Sequence, residues 1–229
     1  MEALPIPVLE RLREFTSPTV ANAIEVFKAR PRNEGFMRPE VRCVFPNLGI
    51  MVGYAVTLRI RAASPGAPGA VLHPSVHWQK VLEVPAPRVV VVEDLDDPPG
   101  LGSFWGEVNG NLHRALGCVG VVTNGGVRDL EEVEALRFHF FAPHITVSHA
   151  YVHIVEAGTP VRVGGLTVRP GDLLHGDRHG VTNIPRELAA RIPEGAETVA
   201  RMERELISYA QSPGFNVEGL KALWQRLRG

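Results

Sequence analysis

Three apolar stretches of the chain predict β-strands. Residues 51–60 alternate and are rich in β-branched side chains, as in a strand. Residues 89–92 are all valine and end at Glu93-Asp94, which is typical of a strand buried on both faces. Residues 119–122 form a further apolar run, and a helical pattern that ends near residue 116 precedes them. The order strand, helix, strand predicts a parallel βαβ unit and an α/β fold.

Helical patterns are predicted at both ends of the chain. Residues 5–30 read as helical, with Ser17 as an N-cap, Pro18 at the first helical position and Pro31 as the end. The helical pattern returns from Pro185 onward, and a last helix covers 217–228.

Shorter patterns predict the remaining elements. Residues 161–163 and 166–168 flank Gly164-Gly165, which is a strong hairpin signal. Residues 138–142 predict a strand, and residues 173–181 predict a strand, a tight turn at Asp177 and another strand.

His73 and His77 lie in a weakly helical stretch, residues 71–84, at a spacing of i and i+4. That spacing suits metal ligands, but no third ligand is nearby, so surface or capping histidines are the favoured interpretation.

Composition excludes several classes of protein. The chain has 229 residues, 45% of them hydrophobic, and a formal net charge of −1, so no global charge favours nucleic acid or an anionic membrane. The sequence contains neither a signal pattern nor an apolar run long enough to span a membrane. We therefore expect a cytoplasmic protein with one domain, residues 1–229. Cys43 and Cys118 are expected to be reduced thiols, because Cys118 lies in an apolar run.

The most informative stretch follows the third apolar run. Asn124-Gly125-Gly126 breaks the strand, and Arg128-Asp129 comes next, at the start of a helical pattern. In a parallel βαβ unit, the helix start and the loop after the second strand share one edge of the sheet. Gly106-Glu107 and residues 124–129 should therefore meet in space.

These residues suit a small 2-oxo acid. Arg128 offers a planar fork for a carboxylate or enolate oxygen. Asp129 offers one hard oxygen ligand, which suits a Mg²⁺ ion that keeps several waters. Gly106 stands at a helix N-terminus, where free backbone N–H groups and the helix dipole favour an anion. Glu107 could relay a proton through a bound water.

Each of these residues also has a simpler interpretation. Asp129 with Glu132 matches a capping box, which by itself would explain both acids. Arg128 could pair with a surface carboxylate, and Glu107 could serve as a first-turn acid. The sequence contains no dinucleotide or phosphate loop, no Gly-x-Ser-x-Gly and no Cys-x-x-Cys.

The stretches Trp105-Gly106-Glu107, Gly120-Val121-Val122 and Gly126 to Glu132 resemble the signature of the regulator-of-ribonuclease-activity-A family. That family includes the 4-hydroxy-4-methyl-2-oxoglutarate aldolases. Its pattern is an acid, twenty other residues, Arg-Asp, two others and an acid; Glu107, Arg128, Asp129 and Glu132 match it. The resemblance covers roughly residues 15–190, and a helical extension covers about 186–229.

The resemblance implies a three-layer β/β/α core of the swivelling type with flanking N- and C-terminal helices. It also implies a trimer or a hexamer with sites between subunits, and a pyruvate aldolase that depends on Mg²⁺ or Mn²⁺ and also decarboxylates oxaloacetate. Asp129 would match the metal ligand and Arg128 the substrate arginine. The amides at Gly106, Glu107, Val108 and Asn109 would hold the substrate carboxylate.

The chain departs from the family pattern at two points. Val108-Asn109 stand where two leucines are usual, and Asn22 stands where an aspartate is common. An acid from the neighbouring subunit assists in the aldolases, and Glu203 and Glu205 are candidates for it. Two other functions stay open: a non-catalytic regulator of a partner such as a ribonuclease, and a related 2-oxo acid or sugar-acid enzyme.

Overall fold

The structure is a computed structural model that describes residues 2–228. Met1 and Gly229, the ends of the expected single domain, lie outside the described residues. The α-helices are α1 (Ile6–Leu12), α2 (Ser17–Val26), α3 (Pro74–Leu82), α4 (Glu107–Ala115), α5 (Leu130–Ala135), α6 (Ile192–Ala210) and α7 (Val217–Arg228). The strands are β1 (Arg42–Cys43), β2 (Met51–Arg61), β3 (Arg88–Asp94), β4 (Ser103–Trp105), β5 (Cys118–Thr123), β6 (Gly126–Val127), β7 (His139–Ala142), β8 (His144–Ile145), β9 (His153–Ala157), β10 (Val161–Val163), β11 (Leu166–Val168), β12 (Leu173–Asp177) and β13 (Gly180–Ile184).

The main sheet has the strand order β1-β7-β5-β3-β2-β12-β13, and β9 also pairs with β2. The four central strands β7, β5, β3 and β2 are parallel to one another. The outer pairings are antiparallel. The predicted parallel βαβ unit is therefore confirmed as β3, α4 and β5.

The sheet is buried on both faces, which explains why its central strands are almost wholly apolar. One face carries the larger core, in which Tyr54 and Leu58 of β2 meet apolar residues of all the helices from α1 to α6 except α4. On the opposite face, Met51 and Ala55 of β2 meet the β10–β11 hairpin. The predicted three-layer β/β/α arrangement with flanking N- and C-terminal helices is confirmed.

A second, three-stranded sheet of β4, β6 and β8 was not predicted. Its strands are two or three residues long, so they are too short to show any periodicity. All of its pairings are parallel, and β6 lies in the middle.

The single helix predicted over 5–30 is instead two helices, α1 and α2. The N-cap of α2 is Thr16, whose side chain accepts a hydrogen bond from the Thr19 N–H, so the prediction of Ser17 as the cap is wrong by one residue. Ser17 is the first helical residue, and its buried hydroxyl bonds His175 Nδ1 at 2.9 Å.

The two histidines at i and i+4 have separate roles. His73 caps α3 by accepting from the Ser75 N–H at 3.2 Å, as one of the favoured interpretations predicted. His77 is fully buried, not on the surface. Within residues 2–228, no group of three or more His, Cys, Asp or Glu side chains could hold a metal ion.

The structure also bears on the two cysteines and on membrane-spanning helices. Cys43 and Cys118 are both free thiols, as predicted, and burial raises the pKa of Cys118 to about 12. None of the helices in the described part of the chain combines the length and apolar character needed to span a membrane.

Candidate functional site

The pairing of β4 with β6 brings the predicted site residues together. Trp105 is the register partner of Val127, and the Arg128 N–H donates to the Trp105 carbonyl at 3.0 Å. Gly106-Glu107 and Arg128-Asp129, which follow these two strands, therefore lie side by side. Their meeting was predicted from β3 and β5, but the short strands β4 and β6 produce it.

Asp129 does not cap its own helix. It has φ 54° and ψ 53°, in the left-handed region, and its side chain makes no capping hydrogen bond. An N-cap residue normally has an extended backbone, so these angles turn the carboxylate away from α5. The carboxylate Oδ2 instead accepts from the Glu107 N–H at 2.9 Å. The capping-box interpretation of Asp129 and Glu132 is therefore wrong.

Gly106 leaves room for this carboxylate. Its φ of −156° is extended backbone that any residue adopts, so its conformation does not require glycine. A Cβ added there would overlap Asp129 Oδ2. The absence of a side chain at Gly106 thus allows Asp129 to reach the start of α4.

The start of α4 has free donors. The first N–H groups of a helix have no intrahelical partner. The Glu107 N–H is used by Asp129, whereas the amides of Val108 and Asn109 find no acceptor among the described residues. The Asn109 side chain bonds the Phe104 carbonyl at 2.5 Å, which ties this turn to β4. The predicted residues Gly106 to Asn109 therefore form one compact turn with two unused donors.

Arg128 and Glu107 both face solvent. Arg128 is 35% exposed at its side chain, and its Nε lies 3.6 Å from Asp129 Oδ2. A contact of this length at the surface contributes little stability, so the guanidinium keeps most of its donors available. Glu107 is exposed, and its carboxylate makes no hydrogen bond or ion pair with the described residues.

The Asp129 carboxylate fits a loosely held divalent cation. Its Oδ1 has no hydrogen-bond partner in residues 2–228, and its side chain is 34% exposed. Mg²⁺ commonly binds through one or two carboxylates and keeps several waters. One free carboxylate oxygen that solvent can reach meets that requirement. It would leave the remaining positions to water, substrate or another subunit.

Three exposed apolar side chains lie on the elements next to this open face. Val108 on α4 is 71% exposed, Ile145 on β8 is 66% exposed, and Val147 just beyond it is 98% exposed. Ile145 is the register partner of Val127, one residue before Arg128. Exposed apolar side chains next to a polar constellation favour contact with another protein surface.

The candidates for an assisting acid lie elsewhere in the chain. Glu203 and Asn22 line a cleft between α2, α6 and α7 that neither Arg128 nor Asp129 lines. Glu205 pairs with Arg226 of α7. Within one chain, neither glutamate therefore lies beside Arg128 and Asp129.

Asn124 has a structural role that was not predicted from the sequence. Its side chain accepts from the Asp94 N–H at 2.8 Å and donates to the Asp94 carbonyl at 2.9 Å. Asp94 Oδ2 in turn accepts from the Gly100 N–H at 2.8 Å. These bonds join the ends of β3 and β5 and fix the loop that leads into β4. A polar amide directly after a buried strand was the available signal.

A family model described as RraA-like, Aldolase/RraA, matches residues 17–182. The chain belongs to the RraA-like family. An uncharacterised protein of Methanocaldococcus jannaschii is 26% identical to it over 196 residues, which are 85% of each protein. A protein of Halalkalibacterium halodurans whose name proposes a 4-hydroxy-4-methyl-2-oxoglutarate aldolase is 38% identical over 76 residues, 33% of this chain and 36% of that protein.

Among solved structures, the RraA-like fold is shared with Streptomyces coelicolor RraAS2, described as an unusual member of the RNase ES inhibitor RraA protein family. The TM-score is 0.70 at 20% identity, over 88% of this chain and 97% of that one. The RraA-like family thus includes proteins named as aldolases and proteins named as ribonuclease inhibitors.

Proposed function

We propose that this RraA-like protein is a divalent-metal-dependent class II pyruvate aldolase. It would cleave 2-oxo acids of the 4-hydroxy-4-methyl-2-oxoglutarate type to pyruvate and would also decarboxylate oxaloacetate. The observation that carries the proposal is the Asp129 carboxylate, which leaves its own helix and reaches the N-terminus of α4 beside Arg128.

The candidate site offers separate groups for the carboxylate and for the 2-oxo oxygen of a 2-oxo acid. The free amides of Val108 and Asn109 would hold the carboxylate, where the helix dipole favours negative charge. Arg128 would donate to the 2-oxo oxygen. Asp129 would hold Mg²⁺ or Mn²⁺, and the bound ion would act as a Lewis acid toward the developing negative charge.

In the proposed reaction, the C3–C4 bond of the substrate breaks. Its electron pair stays with the three-carbon fragment as the enolate of pyruvate, and C4 becomes the carbonyl of a second 2-oxo acid. Glu107 would accept the proton lost from the 4-hydroxyl through a water and return a proton to C3 of the enolate. In oxaloacetate the C3–C4 bond would break with loss of carbon dioxide, and because no hydroxyl proton is released, the proton added to C3 of the enolate would come from water through Glu107. Arg128 stays charged throughout and stabilises the enolate oxygen.

A trimer or hexamer would complete the site. In one chain the constellation is open to solvent, and no further carboxylate of the described residues contacts Asp129. The exposed residues Val108, Ile145 and Val147 provide an apolar surface for a neighbouring subunit.

The first test concerns metal. We expect pyruvate release from oxaloacetate and from 4-hydroxy-4-methyl-2-oxoglutarate to stop in chelator and to return with Mg²⁺ or Mn²⁺. Asp129→Asn should abolish this turnover without lowering the melting temperature, because asparagine also tolerates left-handed backbone and can still accept from the Glu107 N–H. Full turnover of the chelated parent protein, or of Asp129→Asn, would contradict the proposal.

A second candidate is a non-catalytic regulator that binds a protein such as a ribonuclease. The fold similarity to RraAS2 and the exposed apolar side chains beside Arg128 favour it. Arg128→Ala separates the two candidates. Loss of a donor that acts in the transition state commonly costs about 100- to 1000-fold in turnover.

If the protein is an aldolase, we expect Arg128→Ala to lower turnover by at least about 100- to 1000-fold. The turnover of Arg128→Lys should lie between that of Arg128→Ala and that of the parent, and both variants should assemble as the parent does. For a regulator, the parent should turn over none of the 2-oxo acids tested, and loss of Arg128 should change only the affinity for its partner. Normal lyase activity in Arg128→Ala would refute the role given to Arg128.

A further inference from the structure

A buried cluster of three rings lies directly behind the start of α4. Trp105, the residue before Gly106, has its ring centroid 4.5 Å from that of His113 on α4. His77 on α3 lies on the far side of His113, with the two Nε2 atoms 3.0 Å apart. All three side chains are at most 1% exposed. The three rings therefore join α3, α4 and β4 underneath the candidate site.

The hydrogen bonds define which nitrogen carries each proton. His113 Nδ1 lies 2.8 Å from the Asn109 carbonyl, which can only accept, so His113 Nδ1 carries a proton. In a neutral ring, His113 Nε2 is then an acceptor, and His77 Nε2–H donates to it. The lone pair on His77 Nδ1 remains buried without a partner.

The two rings cannot both be charged, because two protonated Nε2 atoms could not face each other at 3.0 Å. Burial is the main cause that lowers the pKa of His77 to about 3 and that of His113 to about 4. The charge of His113 lowers the pKa of His77 further. The pair is therefore neutral near pH 7 and keeps this order of donors and acceptors.

The pair acts on both halves of the site. His113 fixes the carbonyl of Asn109, whose own N–H is one of the two free amides at the start of α4. His113 also packs on Trp105, whose carbonyl accepts from the Arg128 N–H. A shift of His113 would thus move the free amides and Arg128 relative to each other.

We infer that His77 and His113 are positioning residues that hold the first turn of α4 in register with Arg128 and Asp129. What that turn binds rests on the proposed function. Neither histidine reaches the surface, so they act only through Asn109 and Trp105. An apolar pair could fill the same space without leaving His77 Nδ1 unsatisfied, which favours a role for the hydrogen bonds beyond packing.

Two replacements of His77 separate positioning from packing. In His77→Gln, the amide N–H can still donate to His113 Nε2, whereas His77→Met fills the space without a donor. Val168→Ala is the control for general loss of stability, because Val168 is buried in the core on the other face of the sheet.

The measurements are the melting temperature, the affinity for oxalate with Mg²⁺ by calorimetry, and the amide exchange rate of Glu107 by NMR. Oxalate is a dianion that resembles the enolate of pyruvate. The Glu107 N–H reports on the turn, because it donates to Asp129.

We expect His77→Met to weaken oxalate binding by about tenfold and to accelerate Glu107 exchange, because the unsatisfied acceptor on His113 favours a displaced helix. In His77→Gln, the oxalate affinity and the Glu107 exchange rate should each stay within about twofold of the parent values. Val168→Ala should lower the melting temperature without either effect.

Parent-like oxalate affinity and Glu107 exchange in His77→Met would overturn the inference. Equal losses in His77→Met, His77→Gln and Val168→Ala would also overturn it, because they would indicate a general loss of stability. A parent protein that binds no oxalate would contradict the proposed function alone, and Glu107 exchange would still decide the positioning role.

Discussion

At Asp129, the backbone angles decide what the side chain does. A non-glycine residue held in the left-handed region costs on the order of 1–3 kcal/mol, and such residues cluster at functional sites. Here the strained backbone directs the carboxylate to the Glu107 N–H and leaves Oδ1 free. The same residue in an extended conformation would cap α5 and be unavailable to a cation.

Gly106→Ala tests the close approach of Asp129 to α4. A Cβ at residue 106 would overlap Asp129 Oδ2 and displace the carboxylate. We expect metal-dependent turnover to fall by about tenfold or more, since small misplacements in a site have large effects. Gly214→Ala is the control, because nothing lies within 4 Å of a Cβ there. Unchanged metal-dependent kinetics in Gly106→Ala would contradict this account.

At the level of elements, a polar cluster joins α1, α2 and β12. Asp177 Oδ2 accepts from the Ser17 N–H at 2.9 Å, so a carboxylate from β12 lies at the positive N-terminus of α2. His175 bonds the Ser17 hydroxyl through Nδ1 and the Leu12 carbonyl through Nε2. These contacts bring helices from the first 26 residues onto a strand about 160 residues later.

Asp177→Ala should destabilise this junction. We expect a loss of about 2 kcal/mol in the free energy of unfolding, typical of a hydrogen bond to a charged group. In a protein of this size that loss lowers the melting temperature by roughly 4–8 °C. Glu10→Ala is the charge control, since Glu10 is exposed on α1. A melting temperature equal to that of Glu10→Ala would count against the junction.

The stability that Asp177 provides should depend on pH. Burial raises the pKa of Asp177, but hydrogen bonds from Ser17 and His179 outweigh it, so the net pKa is lowered. A carboxylate with a lowered pKa in the folded state stabilises above its unfolded pKa and loses that contribution as pH falls through the folded value. The difference in the free energy of unfolding between the parent protein and Asp177→Ala should therefore be constant above about pH 5 and shrink below about pH 4.

At the scale of the whole molecule, burial lowers the pKa of four histidines. Burial is the main cause that lowers the pKa of His77 to about 3, and of His113 and His139 each to about 4; it also lowers the pKa of His175. At pH values between these folded-state pKa values and about 6.5, the ordinary pKa of histidine, the unfolded chain binds protons that the folded chain does not. Stability must therefore fall as pH drops through that window.

Chemical unfolding between pH 8 and pH 4 measures this loss. Each such histidine contributes a slope of up to about 1.4 kcal/mol per pH unit. We expect His139→Gln to reduce the slope by up to that amount. His144→Gln, which replaces an exposed histidine, is the matched control. Equal slopes for the parent and His139→Gln would show that His139 is charged in the folded protein.

Assembly is also a property of the whole molecule. We expect a trimer or hexamer by light scattering at micromolar concentration. Val147→Asp should weaken that assembly without unfolding the chain, because Val147 makes little contact within its own chain at 98% exposure. Val217→Asp, at an exposed position on α7, is the control. A monomeric parent protein would contradict a site shared between subunits.

The sequence by itself determined the elements whose patterns repeat locally. The apolar runs of β3 and β5, the alternation in β2 and the Gly164-Gly165 turn each depend on neighbouring residues, so periodicity and turn chemistry were sufficient to predict them. The meeting of Gly106-Glu107 with Arg128-Asp129 was also predictable, because the ends of parallel strands share one edge.

Tertiary structure alone decided how the residues at that edge are used. The strands β4, β6 and β8 exist only through their pairing and have no periodicity of their own. The left-handed backbone of Asp129 is stabilised by contact with residue 107, and His77 is paired with a residue 36 positions away. Such contacts join residues that are distant in the chain, so local patterns cannot distinguish a capping aspartate or a surface histidine from the roles that the fold assigns to them.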